Sequence, residues 1–226
     1  MPRALHIPGV FFLLCAFVLL LLVSISLPFL PALDLTRVRF EGSPSTEIGN
    51  QGALTELRFG IWAYCWYEAS GTRTCSIKGH NYATVVYNSD MTSWQTVGPS
   101  WTRGQPAHVA AAGLAFLAFL LSLSTHVTVA LLAALMSFLA ALLTLAVLVI
   151  DIAFYTYVKH QMAKLVGVSE HTSPGPAFWM TLASFILLCL AGCTVCCGRR
   201  RDRMAGATSY LMASKQHSWR DRFRRA

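Results

Sequence analysis

Four long apolar runs, at about residues 9–30, 107–124, 127–157 and 176–197, constrain this chain more than any other feature of its sequence. An α-helix rises about 1.5 Å per residue and the hydrocarbon layer of a bilayer is roughly 30 Å thick, so each run is long enough to cross it. Apolar residues make up 55% of the chain and charged residues only 12%, which lies outside ordinary soluble usage and fits four membrane spans. Ser124-Thr125-His126 separates the second run from the third and reads as the tip of a tight helical hairpin. The first run reads as an uncleaved anchor because its apolar core exceeds a usual signal-peptide core. Arg3 and the small residues Ser24 and Ser26 leave a cleaved signal peptide as the alternative, which would reduce the spans to three.

Orientation follows from lysine and arginine beside the spans. The segment after residue 198 holds Arg199, Arg200, Arg201, Arg203, Lys215, Arg220, Arg222, Arg224 and Arg225 against Asp202 and Asp221, so nine less two gives +7 of the chain's formal +8. This places the tail in the cytoplasm, and four spans place the amino terminus there too. The expected order is a cytoplasmic amino terminus (1–8), a first span (9–30), an extracellular loop (31–106), spans two (107–124) and three (127–157), a short extracellular loop (158–175), a fourth span (176–197) and a basic cytoplasmic tail (198–226). A basic cluster directly after a span reads as contact with acidic lipid headgroups through Arg199, Arg200, Arg201 and Arg203, and not as a nucleic-acid surface. The final SWRDRFRRA either lies on anionic lipid or stays solvated.

The seven cysteines separate by compartment. Cys65 and Cys75 form the only pair in the large outer loop, where oxidising conditions make a disulfide the expected state. The segments LRFGIWAYCWY and TCSIKGHNYATVVY are rich in aromatic and β-branched residues, and Ser70-Gly71 supplies a turn between them. They predict a disulfide-pinned hairpin, with Trp62, Tyr64, Trp66 and Tyr67 covering the sheet or lying at headgroup level. The pin is expected to support folding, and the aromatic surface could in addition bind a partner. Cys196 and Cys197, beside the inner arginines, are candidates for S-acylation, with packing by small thiols as the plainer role. Zinc bound through Cys193 and Cys196 lacks a second ligand pair, so no metal is expected.

Asp151 is the acid inside an apolar run, and an intramembrane carboxylate needs a partner. Stepping back by three and four residues gives Leu148, Thr144, Ala141, Ser137, Ala134 and Ala130, a small or hydroxylated stripe that faces Asp151 into a bundle. Ala107, Ala111 and Ala115 form a matching ladder on span two. Asp151 would hydrogen-bond a hydroxyl or backbone group, or pair with His108 or His160; a structural lock, a proton-responsive pair and an ion path are the alternatives in that order.

The order of these features resembles a known family. Gly60-Ile61-Trp62-Ala63-Tyr64-Cys65, with Cys75 ten residues on, is similar to the claudin-type G-L-W-x-x-C…C signature. Ser24, Ser26 and Pro28 closing span one, Phe59 to Cys65, His108 entering span two, Val149 to Asp151 in span three and a cysteine-rich exit into arginine resemble the fungal PalI family, across roughly residues 8 to 203. That family is grouped with eisosome-associated tetraspans and pH-response regulators. The chain departs from it in its short tail and in a stretch containing Trp94 and Trp101.

The resulting fold class is an all-α membrane protein, a four-transmembrane-helix bundle with a small disulfide-stapled extracellular β-hairpin domain of claudin-like type. The resemblance implies a non-enzymatic plasma-membrane protein that assists a separate multi-span sensor of ambient pH. A structural organiser of cortical membrane domains, assembled as a homo-oligomer, is the second reading, and a channel or transport subunit the third. Neither a nucleophile-base pair nor a phosphate-cradling glycine loop is evident, so no catalysis and no cofactor are expected. Membrane lipids and the sensor are the expected partners.

Overall fold

The computed structural model describes residues 6–41, 44–46, 54–124 and 126–194. Its helices are α1 (His6–Ser24), a single turn α2 (Pro99–Thr102), α3 (Ala107–Ser122), α4 (Val127–Met162) and α5 (Pro176–Thr194). Among the described residues, four stretches are helical, long and apolar enough to cross a membrane: Ile7–Ser24, Pro99–Ser122, Thr128–Met162 and Pro176–Thr194.

Small side chains set the bundle's spacing. Ala111, Ala112, Ala115 and Ala118 of α3 meet Leu13, Ala16 and Leu20 of α1, Ala140 of α4, and Leu188 and Ala191 of α5 in one buried cluster. Alanine brings backbones close, which matters in lipid, where apolar side chains gain little by leaving a hydrocarbon surround. On α4 the buried positions are Ala133, Ser137, Ala140, Thr144, Val147, Leu148, Asp151, Phe154, Val158 and Met162. Their steps of mostly three and four residues trace one continuous stripe facing the neighbours, while Leu131, Leu135, Phe138, Leu142 and Val149 point outward.

At 36 residues α4 is about 54 Å long, far more than the hydrocarbon thickness. Its surplus carries a second job. Phe154, Val158 and Met162 leave the bundle's apolar stripe and enter the core of a β domain beside Val38, Phe40, Leu57, Phe59, Tyr64, Trp66 and Val86.

That domain corrects the expected all-α class with a lone hairpin. Its strands are β1 (Thr36–Glu41), β2 (Ser45–Thr46), β3 (Leu54–Phe59), β4 (Tyr64–Glu68), β5 (Arg73–Cys75), β6 (Thr84–Tyr87), β7 (Trp94–Val97) and β8 (Ser169–Pro174). They form a five-stranded antiparallel sheet ordered β5-β4-β3-β1-β8 and a three-stranded sheet ordered β2-β6-β7. The alternation in β1 is clean, with Thr36, Val38 and Phe40 buried and Arg37, Arg39 and Glu41 turned away from the core. In β3 the alternation slips, and the register shift between Leu54 and Glu56 explains it: the bulge lets Leu54, Leu57 and Phe59 all face the core. The predicted hairpin is β4 and β5, where Cys65 opposes Cys75 in register and the two are bonded. Its turn closes through Gly71, whose positive φ of 83° favours glycine.

The segment expected as a short loop, 158–175, instead finishes α4 and then supplies β8, paired with β1 over six residues from Thr36↔Pro174 to Glu41↔Ser169. SEHTSP carries no apolar alternation, so only its pairing marks it as a strand.

From β8 the chain turns directly into α5 across Asp34. Gly175 donates its backbone N–H to Leu35 O at 2.8 Å, and Ala177 N–H, otherwise an orphan donor of the first helical turn, goes to Asp34 O at 3.1 Å. A Cβ at Gly175 would stand 2.0 Å from that same Asp34 oxygen, with backbone on the opposing side. Gly175→Ala is therefore expected to lower stability by about 2–3 kcal/mol, measured as a drop in the thermal unfolding midpoint of the purified chain in nanodiscs. An unchanged midpoint would show that the crossing relaxes freely.

Candidate functional site at the junction of bundle and β domain

Where α1 ends, Leu21, Leu22 and Val23 O still accept from Ile25 and Ser26 N–H, and Ser24 O is left for an outside donor. The loop joining β3 to β4 supplies it. Trp62 donates its indole N–H to Ser24 O at 2.8 Å, and Ile61 N–H donates to the Ser26 hydroxyl at 3.1 Å. Between them Gly60 sits on Leu27 so closely that a Cβ would stand 2.4 Å from the Leu27 Cβ and 3.0 Å from its backbone nitrogen. The G-x-W spacing thus has a physical account: the glycine permits contact and the tryptophan, two residues on, caps the helix. Tyr64 is buried in the β core with Phe59, Trp66 and Tyr82 around it.

A chain of hydrogen bonds leads inward from this seat. Gly60 O accepts from the Tyr82 hydroxyl at 2.6 Å, and burial pushes that hydroxyl's pKa up, so it stays a neutral donor. Tyr82 O accepts from the Thr102 hydroxyl at 2.9 Å, and Thr102 O accepts from Gln105 N–H at 3.2 Å. Gln105 O accepts from His108 Nδ1 at 2.8 Å. His108 Nε2 lies 3.1 Å from Asp151 Oδ2 and 3.4 Å from the Thr181 hydroxyl oxygen. The path runs from the end of α1 to α3, α4 and α5.

Chemistry restricts the proton at its inner end. A carbonyl can only accept, so Nδ1 carries a hydrogen. Nε2 and Asp151 Oδ2 then share one proton, either as imidazolium with carboxylate or as neutral ring with carboxylic acid. Thr181 donates to Ala177 O at 3.0 Å, which leaves its lone pairs toward the ring. His108 and Thr181 are fully buried and Asp151 nearly so. Asp151 Oδ1 and both side-chain amide atoms of Gln105 are buried without a hydrogen-bond partner among the described residues.

A second polar joint holds β1. Arg37 donates to both carboxylate oxygens of the fully buried Asp34, at 3.0 and 2.7 Å, and its Nε lies 3.1 Å from Glu56 Oε1. The Asp34 hydrogen bond holds the Arg37 guanidinium above its ordinary range, opposed in part by burial. Glu56 also receives Arg58, whose guanidinium lies 4.4 Å from the centre of the Tyr67 ring. Trp101 stacks on Tyr157 of α4 with ring centres 4.2 Å apart.

Of the two histidines considered for Asp151, His108 makes the contact and His160 is exposed. Ser137 and Thr144 lie on the same buried face of α4, while Ala134 and Ala141 are half-buried. Cys189 and Cys193 are exposed on α5. Cys196, Cys197, Arg199, Arg200, Arg201 and Arg203 lie outside the described residues. Sequence reasoning missed Asp34, Gln105, Thr181 and Gly175; Thr181 and Ser184 inside an apolar run carried a readable signal, whereas the other three act through tertiary contacts. Among the described residues, no group of three or more His, Cys, Asp or Glu could hold a metal ion.

Four apolar helices capped by a disulfide-closed β domain define a tetraspan membrane protein. The chain belongs to the SUR7/PalI family, whose sequence model matches residues 5–191. No curated protein matches it.

Two sets of variants test the junction. Gly60→Ala is expected to cost about 2–3 kcal/mol through the clash with Leu27, and Trp62→Phe about 1 kcal/mol through the lost hydrogen bond, both read from thermal unfolding in nanodiscs; the reverse ranking would contradict the close seat. His108→Ala and Asp151→Ala are each expected to destabilise by about 3–5 kcal/mol, with the double variant costing far less than the sum. Strict additivity in that cycle would mean the pair does not interact.

Proposed function

We propose that this protein is a non-enzymatic four-span plasma-membrane protein, with both termini cytoplasmic and the β domain outside, that assists a separate multi-span sensor of ambient pH. The observation that carries the reading is membership of the SUR7/PalI family over residues 5–191. The architecture supports an assisting role: the helices offer long lipid-facing surfaces for lateral contact, and the junction holds the β domain in one orientation above them. Helix faces such as Leu131, Leu135 and Phe138 would meet the sensor's own spans, and the β domain would meet its exterior loops.

A second reading, a self-associating organiser of cortical membrane domains, is favoured by one patch. On the three-stranded sheet Trp94 is 59% and nearby Met91 57% exposed, and Tyr87 lies beside Trp94 with ring centres 6.5 Å apart. Such a patch on a β surface suits contact between copies.

Growth and pH-signalling output of a deletion strain at acidic and alkaline pH separates the two. Loss of the alkaline response, restored by the natural chain and poorly by Cys65→Ser, is the expected result, because opening the hairpin removes about 2.7 kcal/mol of loop-closure stabilisation. An intact alkaline response with dispersed cortical patches, together with a dimer band lost in Trp94→Ser, would select the organiser instead.

A further inference from the structure

Beside the Trp62 cap lies a cleft of about 370 Å³, lined by Ser24, Ile25, Phe29, Trp62 and Lys78. We propose that it binds one glycerophospholipid, with the phosphate on Lys78 and the upper part of an acyl chain against Ile25 and the Trp62 ring.

The position sets the environment. From Ile7 to Ser24 α1 has a mean hydropathy of 2.8, and the cleft opens where it ends. That level is the boundary between hydrocarbon and headgroups on the β-domain side of the membrane. The Trp62 N–H is already committed to Ser24 O, so the indole is held in place and its faces serve as a fixed apolar wall.

Exposure points the same way. Ile25 is 41%, Phe29 57% and Ile77 93% exposed, a group of large apolar side chains at one end of a span. In water this arrangement would leave apolar surface wet; at the upper edge of the hydrocarbon it is solvated by lipid. The Ser76–Gly79 loop is held there by Ser76 N–H to Tyr64 O at 2.9 Å and Gly79 N–H to Trp62 O at 2.8 Å. Ile77 and Lys78 are therefore presented by a tethered loop.

Charge selects the occupant. The Lys78 ammonium lies 4.3 Å from the centre of the Phe29 ring and has no carboxylate within 4.0 Å among the described residues. The lining is otherwise almost wholly apolar. A cation at the mouth of an apolar cleft, at headgroup depth, complements a molecule that is anionic at one end and hydrocarbon at the other. The cleft's size falls within the range of small-molecule sites.

The test uses the full chain in phosphatidylcholine nanodiscs doped with a phosphatidylglycerol whose acyl chain carries a diazirine near the glycerol. After illumination, labelled peptides are mapped by mass spectrometry. Labelling at residues 24–29 and at Trp62 is expected to exceed that of the lipid-facing α4 positions Leu131 and Phe138 several-fold. Lys78→Gln should reduce it about tenfold and Lys78→Arg should keep it, as a charge-assisted contact to phosphate requires. Lys78 is exposed, so both variants should still fold with one cooperative unfolding transition, Lys78→Gln with a midpoint lowered only by the weaker lipid binding. Labelling no greater than on α4, or unchanged in Lys78→Gln, would overturn the proposal in favour of unselective boundary lipid. Loss of labelling in millimolar inorganic phosphate would also overturn it, leaving a site for the free anion.

Discussion

The junction at the end of α1 depends on a rule that lipid imposes: a helix leaving the hydrocarbon must have its last carbonyls satisfied. Ile25 and Ser26 N–H do this for Leu21, Leu22 and Val23, and Trp62 of the β domain does it for Ser24 O. Ile61 N–H fastens the same loop to the Ser26 hydroxyl, and Gly60 allows the loop to come near enough. Once that loop is seated, β3 and β4 have their origin and direction. The Cys65–Cys75 bond then ties β5 to the same strand pair.

Two further joints keep the β domain from pivoting on that point. The continuation of α4 through Phe154, Val158 and Met162 makes a membrane helix part of a sheet's core. The Gly175 crossing binds β8 and the start of α5 to Asp34 and Leu35 of the chain between α1 and β1. Each of these contacts brings together segments distant in sequence, so the bundle and the β domain are built as one unit.

The buried His108–Asp151 contact sits at the inner end of the hydrogen-bonded path from Gly60 through Tyr82, Thr102 and Gln105. An ion pair or shared proton in so dry a place adds little net stability over apolar packing, yet breaking it leaves a buried polar group alone. It therefore acts mainly to fix which faces of α3, α4 and α5 meet. The alanine ladders permit several close registers, and a single polar contact singles out one of them.

Much of this could be read from residues alone. Four apolar runs specified four helices because hydrophobic length is a local property, and Cys65 with Cys75 specified a hairpin because both lie in the one large loop. The face of Asp151 was likewise legible, since helical periodicity places it on a small-residue stripe. The partner was not: His108 and His160 were equal candidates in sequence, and only the crossing of α3 and α4 selects His108. β8 was invisible because SEHTSP becomes a strand by borrowing hydrogen bonds from β1, about 130 residues earlier by the registered pairs. The same holds for Gly60 and Gly175, whose need to be glycine comes from Leu27 and Asp34 lying against them. Sequence determined the elements that depend on near neighbours; tertiary structure decided every feature whose cause is a backbone or side chain brought in from elsewhere.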